Sequence, residues 1–434
     1  MNKRVSKINQ LKGTITIPPD KSISHRAVIL SALARGKSVI KNFSKAQDPL
    51  SSLEVCKSLG IDAKFSEKGL EIYSNGYLKS PKNELFCGNS GTTMRLMAGV
   101  LAGQEFNSVL TGDESLSKRP MKRIIEPLRL MGANIEGTDN FTPPLNIKGT
   151  QLNGIYYKSP IASAQVKSAI LLAGLFAEGK TTFEEEFLSR NHTELMLKYM
   201  GANIDCNGLT TTVEKSSLNA CEIEVAGDIS SAAYFIAAAL ICPNSSITIK
   251  NVGLNPTRTG ILDVLDKMGA NIEVLDKRIV SEELVGDLRV STSELKGCEI
   301  SGDLIPRLID EIPILAVLAT QAQGTTVIKD AQDLRNKESD RIKAVVCELK
   351  KLGANIEETT DGMIINGKIK LKGQTEVNTY KDHRIAMSLY VAGLVCEEEI
   401  VINDFEWVEI SFPNFEQTMG ELEAARQLSY YLIF

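Results

Sequence analysis

The feature that most constrains the fold of this 434-residue chain is a pattern that recurs six times: a polar stretch, an apolar helix, a short turn and a strand-like run. The first copy begins at DKSISHRAVILSAL and the last at DHRIAMSLYVAGL. A second helix follows most copies and ends at a glycine that suits a left-handed C-cap. These signature glycines are Gly60, Gly132, Gly201, Gly269 and Gly353.

The last four signature glycines lie in near-identical M/L-G-A-N-I strings, which argues against chance recurrence of common helix–Gly–strand junctions. A period of about 70 residues exceeds those of solenoid repeats. The pattern therefore predicts duplicated α/β subdomains, each with helices packed against a sheet. No strand clearly follows the second helix of the last copy.

Composition narrows the class of protein. Hydrophobic residues make up 43% and charged residues 24%, which is typical of soluble globular proteins. A net charge of −5 argues against a nucleic-acid-binding protein, which needs a basic excess. The longest apolar runs, such as AAYFIAAALIC, reach about half the length of a membrane span, and the N-terminus lacks the apolar core of a signal peptide. We expect a cytoplasmic protein without membrane or nucleic-acid partners.

The eight cysteines form no C-x-x-C pair, and the three histidines show no zinc-ligand spacing. Scattered cysteines in a long chain are typical of reduced thiols in a cytosolic protein. No metal site is expected.

The polar stretches, called heads below, predict an anion-binding site. A helix N-terminus has free N–H groups and a partial positive charge. Several heads that share one pocket could hold anions in a protein of net negative charge. Each head also has a structural alternative, because Ser and Asp often act as N-caps without any ligand. We interpret the head GDISSAA as structural. The other heads supply these cations and hydroxyls: Lys21, Ser22, Arg26, Asn89, Thr92, Arg95, Ser163, Gln165, Lys167 and Arg384.

Two further segments bring carboxylates into this basic setting. LIDEIPIL places Asp310 and Glu311 at the start of an apolar helix, and LRNKESDRI clusters Glu338 with cations. A carboxylate among anion-binding cations can take or give a proton. Alternatively, Asp310 is an N-cap and KESDR is a solvated, salt-bridged face.

Nine strings in order resemble the 5-enolpyruvylshikimate-3-phosphate (EPSP) synthase family. The resemblance rests on DKSISHRA, GNSGTTMRL, GDESLSKRPM, SAQVKSAILLAGL, SRNHTE, GDISSAA, IDEIPILAV, LRNKESDRI and DHRIAM, from residue 20 to about residue 387. It implies an α/β enolpyruvyl transferase fold of two similar domains, each with three βαβαββ units in an inside-out α/β barrel. Domain I would comprise residues 1–20 and 228–434, and domain II residues 21–227, with the active site in the cleft between them.

The resemblance also implies a reaction. The enolpyruvyl group of phosphoenolpyruvate passes to the 5-hydroxyl of shikimate 3-phosphate, with release of phosphate, by addition and elimination through a tetrahedral intermediate. No cofactor is expected, and we expect a monomer.

The resemblance assigns roles residue by residue. Three residues are implied to be catalytic. Lys21 would contact both substrates and is a candidate proton donor. Asp310 would be the base for the 5-hydroxyl, and Glu338 would be the acid near the methylene carbon. Shikimate 3-phosphate would contact Lys21, Ser22, Arg26, Ser163, Ala164, Gln165, Arg190, Asp310 and Lys337. Phosphoenolpyruvate would contact Lys21, Asn89, Gly91, Arg119, Gln165, Arg341 and Arg384. Arg95 is expected to support the GNSG loop, and His383 is a second candidate for proton transfer.

The chain departs from the family pattern at two positions. Pro19 stands where the opening motif usually has Gly, and Ile410 stands where many members have a lysine before the final F-P. The apolar terminus YYLIF has no evident role. Gly91 leaves the space that, in this family, admits glyphosate.

Two rival functions are open at this point. The sister enzyme that acts on UDP-N-acetylglucosamine typically has Lys-Asn in the first motif and a loop cysteine. This chain has Lys21-Ser22, and KRPM without cysteine in the loop. A non-catalytic anion sensor on the same scaffold is disfavoured by the presence of Lys21, Asp310 and Glu338.

Overall fold

The structure, a computed structural model, describes residues 1–430. The last four residues of the apolar YYLIF segment, 431–434, lie outside this range. The described chain contains thirteen α-helices: α1 Lys21–Leu33, α2 Gln47–Ser58, α3 Gly91–Ala102, α4 Lys122–Leu130, α5 Ala164–Gly174, α6 His192–Tyr199, α7 Ile229–Ile241, α8 Gly260–Lys267, α9 Leu304–Leu308, α10 Ile312–Gln321, α11 Arg341–Lys351, α12 His383–Gly393 and α13 Phe415–Tyr430.

The described strands are short. They are β1 Lys3–Val5, β2 Lys12–Thr16, β3 Ala34–Lys41, β4 Asp62–Ser66, β5 Gly69–Asn75, β6 Leu85–Phe86, β7 Ser108–Thr111, β8 Asn134–Glu136, β9 Leu145–Lys148, β10 Tyr156–Lys158, β11 Lys180–Glu184, β12 Ile204–Asn207, β13 Thr210–Glu214, β14 Leu218–Asn219, β15 Glu222–Glu224, β16 Ser246–Gly253, β17 Asn271–Val280, β18 Glu283–Ser291, β19 Glu299–Ile300, β20 Gly324–Ile328, β21 Asn355–Glu358, β22 Met363–Gly367, β23 Glu376–Asn378 and β24 Ile400–Asn403.

The chain divides into two compact units. Unit 1 comprises Met1–Pro18, Gly227–Arg278 and Leu284–Phe434, and unit 2 comprises Pro19–Ala226 and Ile279–Glu283. Each unit has its own hydrophobic core. The turn between β17 and β18 therefore belongs to unit 2, although most of both strands belongs to unit 1.

Unit 2 contains three sheets of the same topology, with strand orders β6-β7-β9-β8, β10-β11-β13-β12 and β14-β3-β5-β4. In each sheet a parallel pair is joined to an antiparallel hairpin. With the intervening helices, each forms a βαβαββ unit. The first strand of the α1 subdomain comes from the far end of the unit, because β14 and β15 pair in parallel with β3.

Unit 1 repeats the plan with orders β17-β18-β16-β2 and β19-β20-β22-β21. The third subdomain differs: β23 and β24 are parallel, but β1 pairs antiparallel with β24 in place of a hairpin. The predicted α/β fold of repeated βαβαββ units is confirmed, with this last copy truncated. The described strands form six separate sheets, so no barrel closes.

The repeated helices occupy the interior of each unit because they are apolar on all sides. Of the thirteen residues of α7, all but Ile241 are buried. The signature glycines have φ between 81° and 92°, so the predicted left-handed C-caps are confirmed. Within residues 1–430, none of the helices has the length and hydropathy that crossing a bilayer requires.

Candidate active site

The head of α1 combines a helix cap with basic side chains. The carboxylate of Asp20 accepts a hydrogen bond from the Ile23 amide at 2.8 Å and so caps the helix. Lys21 then lies in the first turn, and its Nζ forms an ion pair with Asp48 Oδ2 at 3.0 Å. The main-chain carbonyl of Ser22 accepts a hydrogen bond from Arg26 Nη1 at 2.9 Å. The sequence left open whether this head is a helix cap or a group of cations. Both are present, because Asp20 caps the helix and Lys21 and Arg26 supply the cations.

Arg26 is buried and held from three sides. Besides the Ser22 carbonyl, it donates to Thr193 Oγ1 at 2.7 Å and to Ser168 Oγ at 2.8 Å. The pKa of its guanidinium is lowered to about 10, chiefly by burial and also by the charge of Arg190, although the charges of Glu194, Asp20 and Glu283 raise it. An anion would stabilise this buried charge.

A chain of hydroxyl groups connects the heads of α1 and α3. His25 Nδ1 is 2.7 Å from Ser52 Oγ, and Ser52 Oγ is 2.8 Å from Thr93 Oγ1. Thr93 Oγ1 in turn donates to Ser90 Oγ at 2.8 Å, and Ser90 caps α3 through the Thr93 amide. The imidazole of His25 is fully buried, and burial lowers its pKa to about 3. It is therefore neutral at pH 7.

This buried imidazole predicts loss of stability in acid. Between pH 6.5 and pH 3 the unfolded chain protonates His25 and the folded chain does not, so the free energy of unfolding falls by about 1.4 kcal/mol per pH unit in that range. Above pH 6.5 this contribution is fully present. We expect His25→Asn to abolish about 3 kcal/mol of the stability difference between pH 7 and pH 4.5. Urea unfolding of both proteins at the two pH values measures it, and parallel pH dependences would contradict it.

The GNSG loop before α3 is tied to Arg119 and α5. Asn89 donates to Asp113 Oδ2 at 2.7 Å and accepts a hydrogen bond from Arg119. The amide of Gln165 bridges Arg95 Nη1 at 2.6 Å and Thr92 Oγ1 at 2.9 Å. A Cβ atom at Gly91 would lie 2.9 Å from Arg95 Nη1 and 3.5 Å from Arg119 Nη1. Asn89, Gly91, Arg119 and Gln165 thus form one constellation, which Arg95 contacts through Gln165.

At α5 the structure separates residues that the pattern had grouped. Ser163 precedes the helix without capping it through its side chain, and Ala164 begins it. Lys167 had been counted among the cations of the heads, but its side chain is 1% exposed. It forms ion pairs at 2.7 Å with Glu185 and with Glu194. Lys167 therefore neutralises buried carboxylates, and its inclusion with the anion-facing cations was wrong.

In unit 1, three arginines surround the carboxylate of Asp310, which lies in a short 3-10 turn, Ile309–Glu311, before α10. Arg341 Nη1 is 3.4 Å from one oxygen, and Arg384 Nη2 is 3.7 Å from the other. The third, Arg258 Nη1, is 3.8 Å away. The N-cap position of α10 is Glu311, one residue after Asp310.

Arg341 links the acidic residues of this constellation. Its guanidinium contacts Glu338 Oε2 at 2.6 Å and Asp382 Oδ2 at 2.8 Å. Asp382 also caps α12, where it accepts from the Arg384 amide at 2.9 Å. Burial alone would lower the pKa of Arg341, but the charges of Asp382 and Glu338 raise it above its ordinary value. The guanidinium is therefore permanently charged, as an anion site requires.

The sequence interpretation missed Arg258. Arg258 contacts Asp228 Oδ1 at 3.2 Å, Glu311 Oε1 at 3.5 Å and Ser230 Oγ. The string NPTRTG, at the end of a strand and start of a helix, was the available signal. Asp228 caps α7 through the Ser230 amide at 2.9 Å, in line with the structural interpretation of GDISSAA.

The remaining candidates are Lys337, Arg190, His383 and the position of Ile410. Lys337 pairs with Asp333 at 2.8 Å, Arg190 precedes α6 and is partly exposed, and His383 begins α12. Ile410 ends a short 3-10 helix, Phe405–Ile410. In the part of the chain that the structure describes, His, Cys, Asp and Glu nowhere form a group of three suited to a metal ion.

A family model described as EPSP synthase (3-phosphoshikimate 1-carboxyvinyltransferase) matches residues 5–419. The chain belongs to the EPSP synthase family. A family member from Thermodesulfovibrio yellowstonii, named 3-phosphoshikimate 1-carboxyvinyltransferase, is 56% identical over 431 residues, covering 98% of this chain and 100% of the relative. One of the same name from Bacillus subtilis is 51% identical, covering 96% and 98%.

A solved structure of the EPSP synthase family agrees, and a more distant enolpyruvyl transferase shares the fold. EPSP synthase from Acinetobacter baumannii superimposes with a TM-score of 0.87 at 42% identity, over 97% of this chain and 98% of that one. The enolpyruvyl transferase NikO from Streptomyces tendae has a TM-score of 0.77 at 17% identity, which is a likeness of fold. The family predicted from the sequence motifs is confirmed.

Proposed function

We propose that the two constellations described above carry out the EPSP synthase reaction. As a member of that family, the chain is an enzyme of the shikimate pathway, a 3-phosphoshikimate 1-carboxyvinyltransferase. It transfers the enolpyruvyl group of phosphoenolpyruvate to the 5-hydroxyl of shikimate 3-phosphate and releases phosphate. The observation that carries the assignment of roles is the Asp310 carboxylate set among three arginines, because it combines a base with anion-binding charge.

The basic heads of unit 2 hold the phosphorylated substrates. Arg26 and Arg190 bind the phosphate of shikimate 3-phosphate, and Ser22, Ser163, Ala164 and Gln165 complete that subsite with Lys337. Asn89, Gly91 and Arg119 hold phosphoenolpyruvate, together with Arg341, Arg384 and Gln165. Lys21 contacts both substrates. Charge-assisted hydrogen bonds contribute about 1.5–3 kcal/mol each, so a few of them support micromolar binding.

The chemistry requires a base and an acid at the same time. Asp310 takes the proton of the 5-hydroxyl while the oxygen of that hydroxyl bonds to C2 of phosphoenolpyruvate. Glu338 protonates C3, turning the methylene into a methyl group and giving the tetrahedral intermediate. Loss of a C3 proton and cleavage of the C2–O bond to phosphate then yield the product. Lys21 is the second candidate donor.

The cytoplasm is the proposed location, and the protein is proposed to act as a monomer. All eight cysteines, which lie within the described residues, are free thiols. Unbridged cysteines are typical of reducing compartments. The substrates are small molecules, and no nucleic-acid or membrane partner enters the proposal.

A phosphate-release assay tests the function. The purified enzyme should release phosphate from phosphoenolpyruvate when shikimate 3-phosphate is present, and should not when UDP-N-acetylglucosamine replaces it. Binding of both substrates without turnover would favour the anion-sensor alternative. Turnover with the nucleotide sugar would favour the sister enzyme.

Glyphosate should compete with phosphoenolpyruvate, and Gly91→Ala should weaken this inhibition by about tenfold or more. The added methyl group would lie 2.9 Å from Arg95 Nη1, so the guanidinium must shift into the space beside the substrate. Gly420→Ala in α13, where a Cβ meets nothing within 4 Å, is the matched control. Inhibition constants for the three proteins measure the effect. Equal inhibition of the wild type and Gly91→Ala would contradict it.

A further inference from the structure

The turn between β17 and β18 has an unusual backbone. Ser281 and Glu282, its two central residues, have φ of 48° and 67°. Two successive left-handed residues define a turn that normally contains Asn-Gly, because side chains with a Cβ are strained there. Such a conformation persists when surrounding contacts enforce it, and it is often associated with function.

Two contacts hold this turn within unit 2. Ser281 Oγ accepts a hydrogen bond from the Glu224 amide at 3.0 Å. Glu283 Oε1 lies 2.6 Å from His192 Nδ1, and both side chains are buried, with exposed fractions of 6% and 1%. The carboxylate thus reaches α6 from a segment 91 residues away in sequence.

The first turn of α6 contacts Arg26 and closely follows Arg190, the two arginines that are proposed to bind the phosphate. His192 begins the helix, and Thr193 Oγ1 accepts from Arg26 Nε at 2.7 Å. Arg190 lies two residues before His192. Burial lowers the pKa of Arg26, and so does the charge of Arg190, whereas the charges of Glu194, Asp20 and Glu283 raise it. The two arginines therefore repel each other, and Glu283 is one of three carboxylates that offset the positive charge of Arg26.

We propose that Glu283 is a positioning residue for the phosphate of shikimate 3-phosphate. Through His192 it fixes the first turn of α6, which holds Arg26, and it supplies counter-charge that keeps Arg26 and Arg190 close together before the substrate binds. This inference rests on the proposed function. Preorganised groups bind more tightly because less ordering remains to be done on binding.

Glu283→Gln tests the proposal, because it removes the charge and keeps the shape. We expect the dissociation constant of shikimate 3-phosphate, measured calorimetrically without phosphoenolpyruvate, to rise about tenfold. The KM for phosphoenolpyruvate and kcat should change by less than about twofold. Affinity for shikimate, which lacks the phosphate, should not change. Glu282→Gln alters the exposed carboxylate next in the chain and should behave as the wild type.

A purely structural role gives a different result. It would lower the melting temperature and the active fraction while the two dissociation constants kept their wild-type ratio, and that outcome would overturn the proposal. If Glu283→Gln does not fold, His192→Phe, which cannot hydrogen-bond to Glu283, tests the link to α6 and should raise the same dissociation constant. Failure of the proposed function is distinguishable, because the wild type would then show no turnover with the two substrates.

Discussion

Asp310→Asn is expected to lower kcat by about 10²–10⁴-fold, while the dissociation constants of both substrates change by less than about threefold. The amide has nearly the same shape as the carboxylate but cannot accept the proton of the 5-hydroxyl. Arg341 and Arg384 keep their other partners, since Arg341 also contacts Asp382 and Arg384 also donates to the main-chain carbonyl of residue 310 at 3.1 Å. The anion-binding charge therefore remains.

Calorimetry for binding and phosphate release for turnover separate these two effects. Asp303→Asn is a suitable control, because Asp303 is an exposed carboxylate seven residues earlier whose side chain makes no capping bond. It should retain wild-type kcat. An equal loss of affinity and of kcat in Asp310→Asn would mean that Asp310 organises the arginines and is not the base.

The repeat could be predicted from the sequence because its signals are local. Positive φ at each signature glycine and burial of helices that are apolar on all sides follow from properties of single segments. Other features of the fold depend on distant pairing. No local pattern predicts that β14 and β15 complete the sheet of β3, or that β2 completes the sheet of β16. These strands meet only when the subdomains assemble.

For a similar reason, the sequence identified some charged residues of the candidate site but misjudged or missed others. Lys167 and Arg26 look alike in sequence, since each follows a serine-rich head by a few residues. Their difference lies in Glu185 and Glu194, which neutralise Lys167 from another element. Arg258 and Glu283 were missed because each acts on a segment far away in the chain. Buried charge partners are set by tertiary packing, and a single sequence does not encode them locally.

Glu338→Gln is expected to lower kcat by about 10²–10⁴-fold and to stop exchange of the phosphoenolpyruvate methylene protons with solvent. The Glu338 side chain is 29% exposed and its carboxylate is held by Arg341 at 2.6 Å. Formation of the tetrahedral intermediate adds a proton at C3, and its reversal removes one from the methyl group. With shikimate 3-phosphate in D2O, the wild type should therefore incorporate deuterium at C3.

The exchange experiment separates the acid role of Glu338 from that of Lys21. Glu338→Gln should bind both substrates with near wild-type affinity because glutamine retains an oxygen that can accept from Arg341, yet it should show no deuterium at C3 by NMR. Glu357→Gln changes an exposed carboxylate of β21 and should exchange normally. Deuterium incorporation at the wild-type rate in Glu338→Gln would transfer the role of carbon acid to Lys21, and Lys21→Met would then be the variant in which exchange is lost.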